Sequence, residues 1–166
     1  MNLHFYLEKL HNSEEYHDFM LENPDAYMCS GFFVMDFEKA DHQRHIDVYA
    51  PTLKKIVSFK LENGIERIPI ETFDERTPKK LSIDYDFDLD EIEKLIREKM
   101  IKEKVKSRIQ KILLSLQHLE GKDLLTATVF ISGLGMLKVN INPISKKIID
   151  FDKKSFFDMM KIIRKK

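Results

Sequence analysis

Four aspartates occupy every second position of SIDYDFDLDE, residues 82–91: Asp84, Asp86, Asp88 and Asp90. Clustered carboxylates are the raw material of a Ca²⁺ loop, which also needs a glycine at its sixth position for the sharp bend and a carboxylate at its twelfth. Counted from Asp84, those positions hold Leu89 and Leu95, so the ligand pattern breaks at both. The intervening Ile83, Tyr85, Phe87 and Leu89 predict instead an extended segment with one apolar face. It leads into a helix that Asp88 or Asp90 caps, with Glu91 and Glu93 in the first turn, where the helix dipole favours negative charge.

Other chemistry-bearing residues have equally plain readings. His42 and His45, flanked by Asp41 and Asp47, are of the types that ligate zinc or iron. They lie in the polar DHQRHID, and His4, His11, His17 and His118 are scattered, so a hairpin crest is expected rather than a coordination shell. Ser132 belongs to no nucleophile elbow. Gly133-Leu134-Gly135 joins strand to strand, without the helix N-terminus that a phosphate site uses. The single cysteine, Cys29, sits in the apolar AYMCSGFFVM; it excludes an intrachain disulfide and reads as an inert buried thiol. No catalytic set, metal site or cofactor is expected, which inclines the reading away from an enzyme.

Charge is the strongest remaining signal. Net charge is zero, yet residues 1–93 carry 10 basic and 21 acidic side chains and residues 94–166 carry 18 and 7. Eight basic residues lie between Lys94 and Lys111, and Arg97, Lys104 and Lys111 are seven apart. On one continuous helix they would form a basic face, with Lys94, Arg97, Lys104, Arg108 and Lys111 as contacts for an acidic protein or a phosphate backbone. The stretch lacks interleaved aromatics, the usual stacking platforms for single strands. Charge pairing between the two halves, within one molecule or across a homodimer, would account for the asymmetry as well.

The elements that must position these residues follow from periodicity. Residues 3–22 read as helix, with Ser13-Glu14-Glu15 as an internal cap that would split it in two. Strands follow in AYMCSGFFVMDF, IDVYAP and TLKKIVSFK, then a tight hairpin at Asn63-Gly64 with its partner strand at 65–70, where Pro69 marks an edge. Residues 71–80 read as a linker. Ile92, Leu95, Ile96, Ile101, Val105, Ile109, Ile112, Leu116 and Leu119 predict one long helix over 89–119, stopped at Glu120-Gly121-Lys122. A hairpin around 133–135, a strand in KKIIDFD and a closing helix in SFFDMMKII complete the chain. No apolar run approaches the roughly 20 residues of a membrane span. The N-terminus does not read as a signal peptide, so the expected compartment is the cytoplasm.

PTLKKIVSFK (51–60) and PISKKIIDFD (143–152) share proline, Lys-Lys-Ile and phenylalanine at the same offsets. Each follows an alternating strand, and a Ser-Gly pair precedes each (Ser30-Gly31, Ser132-Gly133). The echo predicts an α+β protein of two related helix-plus-antiparallel-hairpin units, residues 1–75 and 76–166, packed as one compact body. VNINPISKKIIDFD resembles the closing hairpin of PepSY-type and cystatin-like small α+β domains, departing from it at Ile144-Ser145 in place of threonine-glycine. The resemblance implies a helix across a meander and modulation of a partner protein or protease; it carries no catalytic residue. The expected function is a non-enzymatic interaction module binding a protein through strand edges and the basic helix. The alternatives are a nucleic-acid-binding protein using that helix, and a small-ligand pocket binder or small enzyme.

Overall fold

The computed structural model describes residues 2–70 and 76–155. Two short helices open the chain, α1 (Leu3–His11) and α2 (Glu14–Glu22). Asn2 caps the first through Phe5 N–H and Ser13 the second through Tyr16 N–H, so the expected break at Ser13 is real. Four strands follow: β1 (Tyr27–Asp36), β2 (Arg44–Ala50), β3 (Lys55–Lys60) and β4 (Glu66–Ile70). Then come α3 (Leu89–Lys102), β5 (Ile109–Leu119), β6 (Lys122–Ile131), β7 (Gly135–Ile141) and β8 (Ile148–Ser155). The strands form one antiparallel sheet in the order β4-β3-β2-β1-β5-β6-β7-β8. Two meanders therefore meet at β1 and β5, in register from Ser30–Gln117 to Asp36–Lys111. The protein is an α+β fold.

Period-two alternation gives the sheet one packed face. Phe33, Ile46, Val48, Phe59, Ile112, Leu114, Leu116, Leu125, Val129, Leu137 and Val139 are all buried on it. The helices supply the other layer: Leu3, Tyr6, Leu7 and Leu10 from α1, Phe19 from α2, and Ile92, Ile96 and Met100 from α3, in the same core cluster. Phe19 and Tyr16 meet Phe59 edge-on, with ring centroids 5.4 and 5.5 Å away. Burying each such side chain contributes about 1.5–3 kcal/mol. Both halves of the chain thus share one core.

The aspartate segment behaves as its alternation predicts. Tyr85, Phe87 and Leu89 are buried, Asp88 caps α3 through Asp90 N–H, and Asp86 accepts from His4 N–H at the start of α1. Leu3 N–H donates to Phe87 O at 2.8 Å, tying the first turn of α1 to this crossing segment. Pro69 lies on the edge strand β4. The Asn63-Gly64 loop is wider than a two-residue turn, because Lys60 pairs with Glu66, although both turn residues have positive φ (51° and 103°). Residues 71–75 of the expected linker and 156–163 of the expected closing helix lie outside the described residues.

The long helix over 89–119 is corrected. α3 ends at Lys102 in a Schellman turn: Val105 N–H donates to Met100 O, Lys104 N–H donates to Ile101 O, and Lys104 takes φ 58°. Val105 and Met100, the two apolar positions that such a turn brings together, are both buried. The residues after it alternate, with Ile112, Leu114 and Leu116 at 0% exposure, as a central strand requires. Ile109, Ile112, Leu116 and Leu119 also happen to fit helical spacing, and no glycine marks the helix end. Glu120-Gly121 is not a helix stop but the two-residue turn of the β5–β6 hairpin, with φ 51° and 82°.

The internal echo is a shared turn. Lys54 and Lys146, at matching offsets, both adopt left-handed φ (53° and 59°). The first copy connects β2 to β3 and the second β7 to β8, which are the second and third strands of one meander and the third and fourth of the other.

Candidate functional site

The five basic residues expected on one helix face are distributed over three kinds of backbone. Lys94 and Arg97 lie on α3, Lys104 in its terminal turn, Arg108 in the connection to β5, and Lys111 on β5. The continuous stripe is therefore corrected: chain that reverses at Lys104 cannot carry it. Three of the five nevertheless converge on the β1–β2 turn. The Arg97 guanidinium lies 5.3 Å from the Phe37 ring centroid and 3.5 Å from Glu93. Arg108 reaches Glu38 at 3.2 Å, and Lys111 reaches Asp36 at 3.5 Å. Hydrogen bonds from Lys39 and Glu38 N–H, with Lys111 alongside, hold the Asp36 carboxyl below its ordinary range despite its desolvation. Each cation here has an acidic partner, so the convergence is electrically balanced. Two of the pairs, Asp36–Lys111 and Glu38–Arg108, join the acidic half of the chain to the basic half.

Unbalanced charge lies elsewhere. At the end of α3, Ile101 is 75% exposed, and among the described residues Lys102, Lys104 and Lys106 have no ion-pair partner. Lys94, seven residues before Ile101, shares its outward stripe and is likewise unpaired. At α2, Leu21 is 70% exposed and the exposed Glu14 and Asp18 precede it at seven and three residues, on the same outward stripe. α2 packs over β3 and β4, where Arg67 pairs with Glu22. α3 lies over the other half of the sheet, where Lys99 covers Phe151 of β8 and Glu91 meets Lys146.

A third cluster had no sequence signal. Asp123, on β6 and 8% exposed, accepts from Ser82 N–H (2.9 Å), Ile83 N–H (3.1 Å) and the Tyr85 hydroxyl (2.6 Å), and its other oxygen meets His118 Nδ1 at 2.7 Å. Burial alone would raise its pKa, but these four contacts outweigh burial and hold the carboxyl below its ordinary range. Burial, then the bond to Asp123, pushes the Tyr85 phenol far up, so it stays protonated and donating. The carboxylate pins the crossing segment where Ile83 takes φ 42°, a conformation a β-branched residue adopts only under constraint. The arrangement resembles a catalytic dyad in its His–Asp pair, yet the same carboxylate is committed to three donors from one segment, which is a clamp. Only the pairing of β5 with β6 brings His118 opposite Asp123.

The remaining candidates are structural. Cys29 is buried, and burial, with Asp47 nearby, raises its thiol to about 11. His42 accepts from Asp36 N–H at 3.3 Å and His45 stacks on Phe32 at 5.1 Å. Among the described residues no cluster of three His, Cys, Asp or Glu side chains could hold a metal. An open cleft of about 520 Å³ is lined by His4, Leu7, Glu8, His11, Met28 and Ile83. The His4 ring in it is already engaged by Tyr85 O at 3.0 Å and Asp86 at 3.7 Å. No helix among the described residues is long and apolar enough to cross a membrane.

Neither protein-family models nor curated proteins match this chain. Among solved structures it is similar to one from Clostridium difficile 630 described as "a putative lipoprotein", with a TM-score of 0.58 at 7% identity, covering 85% of this chain and 91% of that one. At that identity the likeness shows the fold alone.

Proposed function

We propose that the protein is a non-enzymatic interaction module of the cytoplasm that binds a protein partner through the basic end of α3. The observation that carries this reading is Ile101, 75% exposed beside Lys102 and Lys104, which have no ion-pair partner among the described residues. An exposed aliphatic side chain flanked by unpaired lysines is complementary to an acidic surface with an apolar centre. The resemblance of the closing hairpin to PepSY-type domains supports the same class of function, modulation of a partner. Strand addition is a weaker mode here. Pro69 removes a donor from the β4 edge, and β8 carries Asp150, Asp152, Lys153 and Lys154, the kind of charge that blunts edges.

The test is a photo-crosslinking amino acid placed at position 101 of the full chain in living cells. The expected result is a protein adduct that disappears when Lys102, Lys104 and Lys106 are changed to Glu. Adducts to nucleic acid alone, with salt-dependent binding of labelled DNA or RNA in vitro, would replace this reading with the nucleic-acid one.

A further inference from the structure

The basic end of α3 has a complement in the same molecule, and we infer that its partner is the acidic α2 stripe of a second copy of this chain. This rests on the interaction-module reading and names its partner. The two stripes match in kind. Glu14, Asp18 and Leu21 succeed one another at four and three residues along the outer face of α2. Lys94 and Ile101 lie seven apart on the outer face of α3, with Lys102 at its last position and Lys104 in the turn that follows. Leu21 and Ile101, exposed at 70% and 75%, are the two most exposed large hydrophobic residues among the described residues. Each sits among unpaired charges of one sign, apart from the exposed Glu98 between Lys94 and Lys102. Docking helix on helix would bury both aliphatic side chains and set carboxylates against ammonium groups, while each stripe alone leaves both exposed.

Sheet geometry makes the contact intermolecular. α2 lies over β3 and β4 at one edge of the order, and α3 reaches β8 at the other. Eight strands span on the order of 30 Å from edge to edge. The stripes lie over opposite halves of the sheet and meet in head-to-tail association of copies. A contact made twice between two molecules closes as a dimer; one that propagates gives larger species.

The experiment is sedimentation velocity on the full chain at low and high salt, with two charge-reversed variants whose folding is checked by circular dichroism. One carries Lys94→Glu, Lys102→Glu and Lys104→Glu; the other carries Glu14→Lys and Asp18→Lys. The wild type is expected to self-associate at low salt and to dissociate as salt rises. Each variant alone is expected to associate at least tenfold more weakly, and an equimolar mixture of the two to associate again, since one then presents only acidic and the other only basic stripes. A wild type that stays monomeric at low salt overturns the inference, as does association unchanged in both variants. In either case, a lysine-dependent adduct of a different protein at position 101 would leave the module reading standing, and the absence of any protein adduct would remove both.

Discussion

At the scale of single residues, Asp123 gathers four polar contacts on one buried carboxylate. One carboxylate accepts from Ser82, Ile83, Tyr85 and His118, and nearly all of it is out of water. Asp123→Ala leaves buried donors unmade and is expected to cost about 3 kcal/mol in urea unfolding. The pH dependence has a definite sign. The folded carboxyl titrates below its ordinary value, so its stabilisation is complete above about pH 4, near the unfolded value, and is lost as pH falls through the folded one. Asp123→Asn should therefore lose less stability than the wild type between neutral pH and the acid end, measured as urea midpoints across that range. In the core, Phe33 is fully buried against Tyr6 and Phe87, and Phe33→Ala is expected to cost about 3–5 kcal/mol by the same measurement.

At the scale of elements, the end of α3 decides how the second half is built. Lys104 holds a left-handed conformation that glycine adopts without steric cost, and its side chain is exposed. Lys104→Gly should stabilise the fold by about 0.5–1 kcal/mol, read from thermal or urea unfolding. In the β5–β6 turn, Gly121 has φ 82° and open space where an alanine methyl would stand, so Gly121→Ala should cost about 1 kcal/mol from backbone strain alone. These positions also show what the sequence revealed and what it hid. Ser13, Pro69, the alternation of residues 83–89 and the hairpin around 133–135 were legible because each carries its own local signal. The boundary at Lys102 was not, because a lysine fills the place where glycine usually announces a helix end. Leu113 and Leu114 together break neither a helical nor an alternating reading of β5, and only burial between β1 and β6 settles it. The basic site drawn from that helix shared its error, whereas the Asp123 clamp has no local signal: Ser82 and Ile83, which it holds, lie about 40 residues away, and His118, five residues away, faces it only once β5 and β6 pair.

At the scale of the whole molecule, the division into an acidic and a basic half becomes two kinds of contact. Along the seam between β1 and β5 it is satisfied internally, by Asp36 with Lys111 and Glu38 with Arg108. At the outer helices it is left open, which is where the proposed partner docks. Raising salt should thus weaken association far more than it lowers the unfolding midpoint, since surface pairs contribute little to stability.

The same seam bears on how the chain folds. Every other pairing in the sheet joins strands adjacent in sequence, while β1 must find β5 across the whole of α3, bringing Ser30 to Gln117. Closing so long a loop costs entropy before any contact returns it, so joining the two meanders is the expected slow step. Leu114→Ala, opposite Phe33 on the seam, should then act mainly by slowing refolding. Val139→Ala, within the outer β7–β8 pairing, should act mainly by speeding unfolding, and a chevron plot of each variant separates the two.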